Sequence, residues 1–224
     1  MGFSPVERET VQNRVHAELR AALMLGRLDP GQVLTIQSVA DTFATSTLPA
    51  REALSRLVAE RGLELTAGRS VRVPELSRER LFDIERARKL IEGEAAAIAC
   101  RLLPADLPDR LAQLVQAQHV CAANNGVYLA LEANQAFHFT LYQASASPAL
   151  VQAIESLWLQ FGPYQRALVG RLPRDFGPGT EHHHEVIAAL RARDPEATRA
   201  AVVRDVDRVC RLLDRSDLVG SDAA

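Results

Sequence analysis

From Ser77 to about residue 214 the sequence places its apolar residues only at helical spacing, with no alternating run to support a strand. Breakers at Pro104, Asn-Asn-Gly 124–126, Ser-Ala-Ser-Pro 145–148 and the stretch 171–180 divide it into segments 77–102, 105–124, 127–144, 148–169, 181–193 and 195–214. Helices of this length on short connections can cover their apolar faces only against one another. An all-helical bundle of about six helices is therefore predicted over residues 77–216.

The first 76 residues have a different rhythm. Within 6–27, Val11, Val15, Leu19, Ala22, Leu23 and Leu25 lie near helical spacing, and Gly26 with Asp29-Pro30-Gly31 ends that segment. A short amphipathic helix follows over Ile36–Phe43, then a break at Ala-Thr-Ser-Thr. A third helix is expected with Pro49 at its first helical position, where the missing N–H costs nothing, and an end near Gly62. Leu63, Leu65, Val71 and Val73 make two strand-like pieces around Thr-Ala-Gly-Arg-Ser. Three helices and a small hairpin constitute a winged helix-turn-helix. The expected fold class is thus mostly α: a winged helix-turn-helix over residues 6–76 and a helical bundle over 77–216, divided near Pro74–Arg78.

In such a head the second helix of the motif enters the major groove and offers its N-terminal residues to base edges. Here Ala50, Ala53, Leu54 and Leu57 share one face, while Arg51, Ser55 and Arg56 turn outward. Arginine can grip guanine O6 and N7 with two hydrogen bonds. Thr45, Ser46 and Thr47 stand where hydroxyls cap the helix or meet phosphates. The competing reading pairs Arg51 with Glu52 or another acid on a solvated face. Net charge is −2, and residues 1–74 hold nine arginines against eight acidic residues, so nothing marks a sequence-independent DNA binder. DNA contact must rest on individual arginines.

Hydrophobic residues at 47% and charged residues at 24% suit a packed globular chain. Cys100, Cys121 and Cys210 are odd in number, far apart and set in apolar helical pattern, which fits buried free thiols in a reducing compartment. No signal core and no run of ~18 apolar residues is present. A cytoplasmic protein without membrane contact is expected.

In the bundle, Asn134 and His138 lie four residues apart on one helical face, His182, His183 and His184 open a later helix, and Asp205 follows on the next. Helices of a bundle can aim such side chains inward to form a metal or ligand site. His138 and His183 can equally be satisfied core histidines or bind an organic effector directly. His182 and His184 point about 100° to either side of His183, which suits surface exposure or capping of the helix start. Arg88 and Glu92 are spaced for an i,i+4 ion pair; alternatively Arg88 faces a cavity and takes an effector carboxylate in a two-pronged grip. Arg166 is a weaker candidate for that task, and Trp158, Phe161 and Tyr164 are expected to pack.

Residues 26–77, GRLDPGQVLTIQSVADTFATSTLPAREALSRLVAERGLELTAGRSVRVPELS, resemble the head of the GntR family of bacterial regulators. Thr47 stands where that family usually has a base-reading arginine, and the family's Arg-Gly in the wing occurs here as Gly68-Arg69, which leaves the standard operator consensus open. RKLIEGEAAAIA (88–99), NQAFHFTLYQASASPAL (134–150) and HHHEVIAALRARDPEATRAAVVRDV (182–206) resemble the FCD branch of the same family. The resemblance implies a divalent metal (Zn, Ni or Mn) held by Asn134, His138, His183 and Asp205, the last in place of the branch's usual histidine. It also implies a homodimer on an inverted-repeat operator, with repression as the expected sign. A small organic acid effector would be read by Arg88, Asn134, His138 and His183. An enzyme is not expected, because no general base or nucleophile stands at a recognisable spacing.

Overall fold

The computed structural model describes residues 10–68, 70–124, 126–169 and 180–215. Its head contains α1 (Val11–Met24), β1 (Val33–Leu34), α2 (Ile36–Thr42), α3 (Thr47–Ala59), β2 (Glu64–Leu65) and β3 (Val71–Arg72). The three short strands form one antiparallel sheet in the order β1-β3-β2, with Val33 opposite Arg72 and Leu65 opposite Val71. Thr10 caps α1 through Asn13 N, and Thr35 and Ser38 form a reciprocal capping box on α2. Val15, Leu19, Leu23, Ala50, Ala53, Leu54 and Leu57 bury the inner faces of α1 and α3 against each other.

The body is α4 (Arg78–Leu102), α5 (Leu107–Ala123), α6 (Val127–Gln143), α7 (Pro148–Val169), α8 (Glu181–Arg191) and α9 (Pro195–Arg215). α4 lies along α9 and α7, α5 along α6 and α8, and α8 along α9. Ser77 caps α4 by accepting from Arg80 N. On α9, Val202, Val206, Cys210 and Leu213 supply the inward stripe. Among the described residues no helix is long and apolar enough to cross a membrane.

One apolar cluster runs from the head into the body, and α7 is the element that joins them. A side-chain carbon on Gly162 would overlap the carbonyl oxygen of Leu23, and one on Gly26 would lie 2.8 Å from Arg166 N, so the end of α1 rests backbone to backbone on α7. Gly26 also has φ of 62°, a conformation that favours glycine. Around this contact Arg20 Nη2 meets Glu155 at 3.1 Å and Arg166 Nε meets Asp29 at 2.7 Å. Arg166 thus ties body to head, and its second partner is the Tyr128 hydroxyl at 2.5 Å.

Two expectations need correction. Pro49 is the third residue of α3, because the helix already starts at Thr47; the first turn still tolerates it, since the N–H there has no intrahelical acceptor. The wing has a third strand, β1, where the sequence suggested a two-stranded hairpin. Val33–Leu34 is too short to show a period, and only pairing with distant Val71–Arg72 makes it a strand. Trp158 and Tyr164 pack as expected but also carry polar contacts. The Tyr164 hydroxyl accepts from Ser77 N at 3.3 Å and donates to Ser77 O at 3.0 Å, fastening the head–body connection to α7.

Candidate functional site

Three helices of the body converge on a buried group of donors. α6 buries Phe137, His138, Leu141 and Tyr142, so the stripe that anchors the helix also carries His138 inward. α8 buries His183, Val186, Ile187 and Leu190 at i, i+3, i+4 and i+7, which selects His183 from the three consecutive histidines. His182 is half-buried against Glu185 at 3.2 Å, and His184 is exposed beside the ring of His119. α9 supplies Asp205. His138 Nε2 lies 3.2 Å from His183 Nε2 and 3.2 Å from Asp205 Oδ2, and His183 Nε2 lies 3.8 Å from Asp205 Oδ2. Asn134 sits half-buried one turn before His138 on α6.

These donors fit a divalent metal in chemistry and in spacing. Ligands ~2.0–2.1 Å from one ion at tetrahedral angles stand about 3.3 Å from each other, close to the separations here. Burial holds His183 down at about 3, partly opposed by the charge of Asp205, so its imidazole is neutral near pH 7. Burial alone would raise Asp205, but the hydrogen bond and charge of His138, then the charges of His183 and His182, bring it to about 2. A neutral imidazole and an ionised carboxylate are the forms that bind metals. His183 stacks on Phe137 at 4.0 Å, and its Nδ1 is buried without a hydrogen-bond partner.

Behind His138 stands a second buried cluster that the sequence did not reveal. Its centre is Glu92, fully buried, receiving Arg88 Nε at 2.6 Å and Trp158 Nε1 at 3.1 Å on Oε1, and the Tyr142 hydroxyl at 2.5 Å and Arg88 Nη2 at 3.4 Å on Oε2. The Arg88 guanidinium lies over the rings of Phe161 at 4.4 Å and Trp158 at 5.1 Å. Arg88 is 5% exposed, so the i,i+4 pair visible in the sequence is an interior pair and not a solvated one. The Tyr142 hydroxyl also lies 3.1 Å from His138 Nδ1.

In the head, Ser46, Thr47, Arg51, Ser55 and Arg56 are exposed and Thr45 is half-buried. Ser46 occupies the N-cap of α3 without a side-chain capping bond, which leaves its hydroxyl for another partner. Thr47, Arg51 and Ser55 are spaced four apart and lie on one stripe. Arg56 is elsewhere: its Nη1 donates to Asn13 on α1 at 2.9 Å. Leu48, 60% exposed at the start of α3, was missed by a search for polar reach. At the wing tip Gly68 has open space around it, and Arg69 lies outside the described residues.

An exposed recognition helix in a winged head, fused to a helical body with a buried donor cluster, is the build of a one-chain transcription regulator. The model for bacterial regulatory proteins of the gntR family matches residues 11–73, and the FCD domain model matches residues 83–208. The chain belongs to the GntR family of DNA-binding transcriptional regulators, with an FCD domain as its body. It is 30% identical over 200 residues to the HTH-type transcriptional regulator McbR of Escherichia coli (strain K12), covering 88% of this chain and 90% of that protein. A probable D-xylose utilization operon transcriptional repressor from Paenarthrobacter nicotinovorans is 25% identical, with 89% and 87% covered. The solved structure of E. coli McbR/YncC matches with a TM-score of 0.84 at 27% identity, covering 92% of this chain and 98% of that one. A GntR regulator from Rhodococcus sp. RHA1 has the same fold, with a TM-score of 0.73 at 22% identity over 90% of this chain and 96% of that one.

Proposed function

We propose that this regulator is a cytoplasmic, homodimeric repressor whose hold on an inverted-repeat operator is controlled by a small carboxylate bound at a metal centre in the body. The observation that carries the reading is the convergence of His138 Nε2, His183 Nε2 and Asp205 Oδ2 in one buried site. Those three residues, with Asn134, would hold Zn, Ni or Mn. A bound divalent ion would supply fixed positive charge with coordination positions left for a carboxylate. Arg88 enters through Glu92, since its hydrogen bonds go to that residue.

On the DNA side, the head (residues 6–76) reads bases with Thr47, Arg51 and Ser55, and Leu48 offers an apolar contact for a thymine methyl group. Thr45 and Ser46 meet phosphates, and Gly68 and Arg69 are further DNA contacts. Arg56 braces α3 to α1. Two copies related by a two-fold axis place two such helices on a palindromic site.

Effector control requires that the ligand bind two head–body arrangements with unequal affinity. What supports coupling is the position of α7. Trp158 and Phe161 of this helix grip the Glu92–Arg88 pair, whereas Leu159, Gly162 and Arg166 meet the head. The body domain (residues 77–216) begins at the Ser77 segment held by Tyr164 of the same helix, so linker and α7 move together.

The test is elemental mass spectrometry of untagged protein, followed by operator titration with candidate carboxylates. About one equivalent of metal per chain, and a carboxylate that weakens operator binding only in metal-loaded protein, are expected. A metal-free protein whose operator affinity no carboxylate alters would sink the reading.

A further inference from the structure

The Tyr142 hydroxyl has one proton to give and two neighbours to satisfy. Glu92 lies 2.5 Å away and His138 Nδ1 3.1 Å away. Every other hydrogen bond to Glu92 arrives from a donor, two from Arg88 and one from the indole of Trp158, so the carboxylate accepts on both oxygens. The proton of Tyr142 therefore goes to Glu92, and burial followed by the charge of Glu92 keeps this phenol from ionising. Its oxygen is left as an acceptor, and the group facing it is His138 Nδ1. That nitrogen must carry the imidazole hydrogen.

We infer that Glu92, acting through Tyr142, is the positioning residue that fixes the Nδ1–H tautomer of His138 and thereby turns the Nε2 lone pair into the donor cluster. The inference rests on the metal reading above for its purpose, though not for its geometry. The consequence is electrostatic. In that tautomer, as against the doubly protonated ring whose hydrogen bond and charge lower Asp205, Nε2 turns a lone pair to 3.2 Å from Asp205 Oδ2, an atom that can only accept. Two acceptors at that separation repel unless a hydrogen from His183 Nε2, 3.2 Å from His138 Nε2, or a cation comes between them, so the relay turns a lone pair toward the place a cation would take. It also sets the two histidines apart. His138 has its outer nitrogen held by Tyr142, whereas the outer nitrogen of His183 has no partner. His138 is thus the preorganised ligand. The Nδ1 side of His183 is held by packing, through the stack on Phe137.

The experiment uses the full-length chain, stripped of metal, as wild type and as Tyr142→Phe, a change that removes one oxygen and keeps the ring. The nitrogen-15 resonances of His138 at ~pH 8.5, about two units above an ordinary imidazole, report which nitrogen bears the hydrogen. Wild type is expected to show Nδ1–H alone, and the variant to shift toward Nε2–H, which can donate to Asp205. Zinc affinity, read by competition with a coloured chelator, is expected to fall by about 10–100-fold in the variant. An Nε2–H tautomer or an imidazolium in wild type overturns the inference, and the wild-type spectrum alone decides this if the variant fails to fold. Zinc affinities within about threefold of each other also overturn it. Loss of the Nδ1–H tautomer in the variant, together with no zinc binding by wild type, leaves the positioning role standing and removes the metal reading instead.

Discussion

On α3 the residues suited to chemistry, Thr47, Arg51 and Ser55, project outward from a helix whose opposite face of Ala50, Ala53, Leu54 and Leu57 is shut into the head core. On α6, α8 and α9 the arrangement is inverted, since His138, His183 and Asp205 occupy the buried faces themselves. The first design separates recognition from stability, so an outward side chain can change while the helix stays anchored. The second makes the same groups serve both purposes. A buried polar side chain without its partner costs far more than a surface one, which explains why the body backs His138 with Tyr142 and Trp158, and gives both of these Glu92 as acceptor.

The largest effect expected from this contrast is that of Glu92→Ala. It leaves the Arg88 guanidinium and the Trp158 and Tyr142 donors buried without their acceptor, and denaturant unfolding should show a loss of ~3–5 kcal/mol. A loss under ~1 kcal/mol would rank the pair with exposed ones such as Arg110–Asp106 and break the distinction between the two regions. Gly162→Ala comes next. The added methyl group meets the Leu23 carbonyl, so α1 must move off α7, at ~1–3 kcal/mol and with faster proteolysis between head and body. Unchanged stability and cleavage would show that the docking is soft.

Arg51→Ala should leave unfolding free energy within ~0.5 kcal/mol of wild type, yet weaken specific operator binding by ~1–3 kcal/mol with relaxed preference at one base pair per half-site. Uniform weakening on all sequences would make Arg51 a phosphate contact. The smallest effect concerns thiols. Burial raises Cys210 to about 12, only partly countered by the charge of Arg88, so at pH 8 it is almost wholly a neutral thiol. Alkylation at that pH should label half-buried Cys121 first, with Cys100 and Cys210 reacting only on unfolding. Mass mapping checks this, and early labelling of Cys210 would mean that the α4–α9 contact opens readily.

Local pattern alone was enough to lay out the helices. The body segments expected at 77–102, 127–144 and 148–169 are α4, α6 and α7 within a residue at each end, because long amphipathic runs between strong breakers leave the chain little choice. The i,i+4 relation of Asn134 and His138 was legible for the same reason, whereas His183 was singled out only by the resemblance to the FCD branch, and the structure sets it on a stripe with Val186, Ile187 and Leu190. Tertiary structure decided what no local period encodes. β1 exists only because Val71–Arg72 pairs with it, and Arg56 turns to Asn13 only because α1 lies there. Arg88–Glu92 reads in the sequence either as an i,i+4 ion pair or as an arginine facing a cavity, and becomes an interior hub only when Trp158 and Phe161 of α7 and Tyr142 of α6 close over it. Spacing along a helix fixes which residues share a face. What that face meets depends on the packing of elements far apart in sequence, and burial then determines what a charge there costs and which partners it must have.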